Sequence, residues 1–263
     1  RLPGFKDLLT LPQLFRQFYN APVAFTAGVI TTVGYLFFTS AQVAAGAKLA
    51  SGTFPALSFP VAVAIMGIAA LSYTILGGLK AVVYTDTVQW IILIAGLTCF
   101  GLPFAYYRIG GYEAIVQSVG PQFFELTNVS WQKLFNWAVT IIPIWFVGMT
   151  LYQRSFASRN EAAKKAWYIA GLFEWPVMAF LGVTLGLLAR VAFEQNLFAD
   201  FNFPAGTEME SELGLPVLLR TVLPSGVMGV VLTAYFSAVM STADSCLMAA
   251  SAAFVHDLLP VGK

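Results

Sequence analysis

Apolar residues run through this chain in blocks of about twenty, parted by short stretches where glycine, proline and charge collect. The blocks fall near 22–50, 60–79, 86–107, 134–153, 166–192 and 224–255. At about 1.5 Å per residue each is long enough, as a helix, to cross a hydrocarbon layer of about 30 Å. Alternating runs of about ten residues, which a membrane barrel would need, do not occur. The pattern therefore predicts six spanning helices after an amphipathic lead-in over residues 1–20. The joins read "SGTFPALSFP", "LGGLKAVVYTD", "RIGGYEA" and "FNFPAGTEMESELGLP", each rich in turn formers.

Composition sharpens this to an all-α integral membrane protein. Hydrophobic residues make up 58% of the chain and charged ones 10%, against roughly a quarter charged in soluble domains; the mean hydropathy is +0.76. With a net charge of +1 and no basic run beyond Lys164-Lys165, nucleic acid is set aside as a partner. Cys99 and Cys246 sit inside apolar blocks, far apart in sequence, and read as packing residues rather than a disulfide or metal pair. The chain opens "RLPGFKDLLTLPQLF", without Met or a signal-peptide pattern, and reads as an excerpt of a longer protein. Lys and Arg divide unevenly between the two sets of loops. Arg1, Lys6, Arg16, Lys80, Arg154, Arg159, Lys164, Lys165 and Lys263 fall on the lead-in side, against Arg108, Lys133, Arg190 and Arg220 on the other, with Lys48 near a helix end. The lead-in is expected inside the cell, and the acidic loop with Glu208, Glu210 and Glu212 outside.

Three carboxylates, Asp86, Glu174 and Asp244, lie in or at the mouths of the blocks. An ionised side chain at mid-membrane costs at least about 2.5–3.5 kcal/mol, so each is expected to face protein and to have a purpose. Around Asp244, Ser237, Ser241 and Ser245 recur at every fourth position beside Ala234, Ala238 and Thr242. Such a stripe of small residues lets helices approach closely; with Asp244 and a backbone carbonyl one turn earlier it is also a set of hard oxygens fit for an alkali cation. Thr85-Asp86 is expected to cap the third span, a role compatible with cation binding. Trp137 and Trp145 read as packing or interface residues, and His256 as a helix-end group.

"GGLKAVVYTDTVQ" followed far downstream by "SAVMSTADSCLMAAS", with "AQVAAGAKL", "YQRSFASRN" and "SAAFVHDLL" in order, resembles the sodium:solute symporter family, whose members carry proline, pantothenate, sugars, sialic acid, iodide or choline. The resemblance implies a LeuT-type inverted-repeat bundle, of which residues 1–263 would be a single domain holding core helices three to eight without helices one, two, nine and ten. It implies a sodium site from the Ala238 carbonyl, Ser241 and Thr242, completed by the absent first helix. Asp86, Asp244 and Ser245 match a second cation site or exit path; two nearby carboxylates could instead share a proton.

The fourth span would line the solute cavity. Where sugar carriers place an Asn and a gating Tyr before their "QR", this chain has Gly148 and Thr150, which argues against a sugar. Glu174 falls near a substrate-contacting Lys of those carriers; it either meets a cationic or amine-bearing solute or pairs with Lys164, Lys165 or Arg159. The implied activity is inward symport of a small polar solute, non-sugar by these positions, with sodium as coupling ion, no other cofactor, and a multi-pass place in the cell membrane. Proton coupling is the alternative, and an intramembrane hydrolase with an Asp86–Asp244 dyad a remote one, since no GxSxG or HExxH motif occurs.

Overall fold

The computed structural model describes residues 8–54, 56–125, 129–157 and 160–259. Arg1, Lys6, Arg159 and Lys263, used in the orientation argument, lie outside these residues, as does the side chain of Lys80. The described residues are helical, with no strand among them, and six helices among them are long and apolar enough to cross a membrane. They cover Ala21–Thr53, Phe59–Gly78, Val82–Ile109, Trp131–Arg154, Lys164–Glu194 and Ser225–Leu258. Each falls on one of the sequence blocks. This architecture is consistent with the LeuT-type bundle that the motifs imply.

The spans are built as follows. The lead-in forms α1 (Leu11–Phe18), and the first span is α2 (Ala21–Thr53). The second and most of the third lie in α3 (Phe59–Gly96), which kinks at Gly78, where φ is 57° and ψ −174°. A left-handed φ of that kind favours glycine. A π-helical turn at Leu97–Gly101 leads into α4 (Leu102–Ile109), and α5 (Gly111–Val119) follows. The fourth span is two pieces, α6 (Trp131–Val147) and α7 (Met149–Ala157). The fifth joins α8 (Asn160–Ile169) through a π-helical turn at Ala170–Glu174 to α9 (Trp175–Glu194). After α10 (Gly214–Val222), α11 (Ser225–Ala253) and a π-helical turn at Phe254–Leu258 make the sixth.

The helices group into two compact units. One holds α1, α2 as far as Ala41, α6 to α8 and the last span from Ala243. In it, Thr10 caps α1: the Gln13 N–H donates to Thr10 Oγ1 at 3.3 Å and the Thr10 N–H to Gln13 Oε1 at 3.4 Å. The same Thr10 hydroxyl donates to Asp257 Oδ1 at 2.8 Å, and Leu11 buries itself against Met149 and Ala249. Lys133 Nζ lies 5.2 Å from the centre of the Trp137 ring, which suits an interface anchor.

The other unit holds the rest of α2, α3 to α5, α9, α10 and α11 as far as Thr242. Leu181, Leu185 and Leu188 form a buried stripe on α9, and Val217, Leu218 and Leu219 of α10 join the same core. Gln195 Nε2 donates to the Ile109 carbonyl at 2.8 Å, satisfying the end of α4. The helix α10 was read from sequence as part of a loop; its apolar stripe of nine residues is too short to stand out beside spans of twenty or more. Lys48 Nζ sits 2.8 Å from both Glu210 Oε2 and Glu212 Oε2. That contact puts the end of α2 and the acidic loop on one side, the side shared by both in the expected topology.

The stripe makes a direct prediction. Leu185→Ala, at a fully buried position, should lower stability by roughly 2–5 kcal/mol. Leu76→Ala, at a side chain 86% exposed, should change it by no more than about 0.5 kcal/mol. Thermal unfolding of the purified protein in lipid nanodiscs measures both.

Candidate functional site

The sodium motif lies on α11. The Thr242 hydroxyl donates to the Ala238 carbonyl at 3.2 Å. That bond draws together two of the three groups expected to hold the ion, and leaves hydroxyl lone pairs available to a cation. Ser241, between them in sequence, is partly buried, and Asp244 is fully buried. Ser245 is already engaged: it accepts from the Arg154 guanidinium at 2.7 Å. A fixed positive charge thus sits on the oxygen assigned to a second cation. Cys246 beside it is buried and Cys99 exposed, and both are free thiols.

Thr85 and Asp86 do not cap a helix. They lie inside α3, about two turns past the Gly78 kink, and the Thr85 hydroxyl donates to the Val82 carbonyl at 3.0 Å. The capping expectation is corrected here, because after the kink at Gly78 the chain is helical again by Val82, ahead of both residues. Asp86 is partly buried. One turn further, Gln89 lines an open depression of about 380 Å³ with Thr85, Thr233 and Ser237, and Met66, Phe236 and Met240 supply its apolar lining.

At Gly148 the fourth span breaks. Its φ of −62° and ψ of 106° are extended, and an added Cβ would lie 2.9 Å from the Ile144 carbonyl oxygen. In a continuous helix the Thr150 N–H would bond the Phe146 carbonyl; at the break each needs a new partner. Two tyrosines supply them. The Thr150 N–H donates to Tyr35 Oη at 3.3 Å, and Tyr152 Oη donates to the Phe146 carbonyl at 2.8 Å. Pro143, itself without an N–H, sits one turn before the break. Glu174 closes the π-helical turn before α9, partly buried, and makes no capping bond. It takes part in no ion pair among the described residues.

No group of His, Cys, Asp and Glu placed to hold a metal ion occurs among the described residues. What they do offer is neutral oxygen on apolar helices, an interrupted span, and a fully buried carboxyl group at Asp244. The sequence profile of the sodium:solute symporter family matches residues 6–260. The chain belongs to that family. Its members are transporters, not enzymes. Among its relatives, a Sodium/myo-inositol cotransporter 2 of Oryctolagus cuniculus is 28% identical over 287 residues, covering 96% of this chain and 42% of that protein. A Sodium/glucose cotransporter 1 of Ovis aries is 26% identical, covering 95% and 43%. A Sodium/glucose cotransporter of Vibrio parahaemolyticus is 28% identical, covering 98% and 51%. The chain thus spans about half, or less, of the length of these relatives.

Several working residues of this family member escaped the sequence reading. Arg154 was visible as a charge at the end of an apolar block, but Ser245, 91 positions away, was not visible as its partner. Tyr35 gave no signal at all, and its role depends on a contact across 115 positions. Gly148 was singled out for what it replaces, not as a break; Pro143 before it was the available clue. The tyrosine pair is testable. Tyr152→Phe should cost about 1 kcal/mol of stability, the scale of hydrogen bonds between membrane helices. Tyr35→Phe should speed hydrogen exchange at the Thr150 amide, which mass spectrometry of the full-length protein would read.

Proposed function

We propose that the protein is a secondary active symporter that brings a small polar solute into the cell with sodium. The observation that carries this is that a chain of the sodium:solute symporter family places Ala238, Ser241 and Thr242 within one turn or so of α11, with the fully buried Asp244 two positions on. Ala238, Ser241 and Thr242 offer hard oxygens to the coupling ion, with the remaining ligands from elsewhere in the protein. Entry of one positive charge across 100 mV supplies about 2.3 kcal/mol, which, added to a sodium gradient, drives accumulation. Asp86 and Asp244 serve a second cation or its exit path; Ser245 joins them only when Arg154 releases it.

The solute meets Gly148 and Thr150 at the break in the fourth span, and Glu174. The absence of the sugar carriers' Asn and Tyr at 148 and 150 favours a non-sugar solute, and Glu174 an amine-bearing one. The relatives named for glucose and myo-inositol supply the competing substrates for a test. The lead-in faces the cytoplasm by the excess of Lys and Arg on its side, and access alternates by one group of helices rocking against another. Proton coupling through the fully buried Asp244 is the second reading.

The test is uptake of labelled proline, pantothenate, choline, sialic acid, glucose and myo-inositol by the full-length protein in proteoliposomes, under sodium, potassium or proton gradients. Sodium-dependent uptake of one solute class, abolished by Thr242→Ala, is expected. Uptake that follows pH, ignores sodium and survives Thr242→Ala would contradict the sodium reading.

A further inference from the structure

The lead-in helix α1 touches both the break in the fourth span and the end of the sixth, all within one compact unit. The start of a helix leaves amide protons in need of partners. Here the Leu11 N–H, the first of α1, points to the sulfur of Met149 at 3.2 Å, one residue past the break at Gly148. Leu11 also packs with Met149 and Ala249, and Tyr35 and Tyr152, the tyrosines that close the break, pack against the same cluster. The second tie is Thr10, which is fully buried. Its Oγ1 accepts from the Gln13 N–H to cap α1 and donates to Asp257 Oδ1 at 2.8 Å. Asp257 lies in the π-helical turn that ends the sixth span, and its Oδ2 is buried with no hydrogen-bond partner among the described residues. The carboxyl therefore leans on Thr10. From the other side α2 comes close, since a Cβ on Gly28 would lie 2.9 Å from Asp257 Cβ.

A hydroxyl that accepts one bond and donates another is fixed in its rotation, so Thr10 cannot follow Asp257 without carrying the start of α1 with it. Leu11 is the next residue, and behind it stand Met149 and the two tyrosines. A shift at the end of the sixth span is thus passed on to the break in the fourth. We propose that α1 is a strap that couples these two places, with Thr10 as its positioning residue. What the strap transmits rests on the symport reading. The helix α11 carries Ala238, Ser241 and Thr242 and continues through the π-helical turn to Asp257, while the solute is assigned to Gly148 and Thr150. The helix that bears the ion is in this way tied to the break that meets the solute. The tie needs a hydrogen-bond acceptor at 257 and a hydroxyl at 10, and does not need the charge.

The experiment is hydrogen exchange, read by mass spectrometry, of the full-length protein in lipid nanodiscs, first in potassium and then in sodium buffer. The proteins compared are wild type, Thr10→Val, Thr10→Ser, Asp257→Ala and Asp257→Asn. Thr10→Val removes the cap together with the strap, whereas Asp257→Ala removes the strap's anchor and leaves the cap. In potassium, both should speed exchange over residues 147–152 by about threefold or more, and Thr10→Ser and Asp257→Asn, which keep the bond, should stay within about twofold of wild type. In sodium, exchange over residues 238–245 should slow in every protein, and that over 147–152 should slow in the wild type but not in Asp257→Ala. The proposal is overturned if the break is unmoved by Thr10→Val and Asp257→Ala, if only the amides of α1 respond, or if Thr10→Ser and Asp257→Asn disturb the break equally. It is also overturned if sodium protects residues 238–245 yet acts on the break alike in wild type and Asp257→Ala. Sodium without effect on residues 238–245 in the wild type would contradict the symport reading instead, and the potassium comparison would then decide the strap alone.

Discussion

In a lipid interior there is no water to take up a stray hydrogen bond, so every polar group on a spanning helix must find its partner within the protein. The structure answers this constraint at the interruption of its fourth span. Among the groups that the break at Gly148 frees are the Thr150 amide and the Phe146 carbonyl, and Tyr35 and Tyr152 take these two up separately. A helix that satisfies its loose ends through side chains can change its path without abandoning bonds in hydrocarbon, which a moving transporter span requires. The lead-in helix adds to this. Leu11 packs on Met149 just past the break, and its N–H points to the Met149 sulfur at 3.2 Å.

The same constraint explains what hydroxyls do here and qualifies the sodium site. Thr26, Thr39, Ser40, Thr53, Thr221 and Ser251 each donate to the carbonyl four residues earlier, as Thr242 does to Ala238. That contact alone marks nothing, since a hydroxyl in an apolar helix makes it by default. Position 242 differs in its setting. Ser241 precedes it, the fully buried Asp244 follows two places on, and the order of motifs is that of a sodium:solute symporter.

The spans were legible because they are long: a block of about twenty apolar residues has few alternatives to crossing a membrane. The details depended on contacts that sequence does not carry. Gly77-Gly78 looked like a turn followed by a cap at Thr85-Asp86, yet only Gly78 leaves helical geometry and the helix resumes before Thr85. Ser245 belonged by motif to a cation site, and the structure gives its oxygen to Arg154, a pairing that only the folded chain creates. Gln89 drew no notice among apolar neighbours, because an amide in a helix becomes conspicuous only when its oxygen is buried without a donor.

The central claim is that Ser241, Thr242 and the Ala238 carbonyl hold the coupling ion. Equilibrium binding of radioactive sodium to the purified full-length protein, wild type against the Ser241→Ala, Thr242→Ala double variant, tests it most directly. The account predicts saturable sodium binding in the wild type, lost in the double variant while the thermal unfolding temperature is kept. Sodium binding of equal affinity and stoichiometry in both proteins would contradict it.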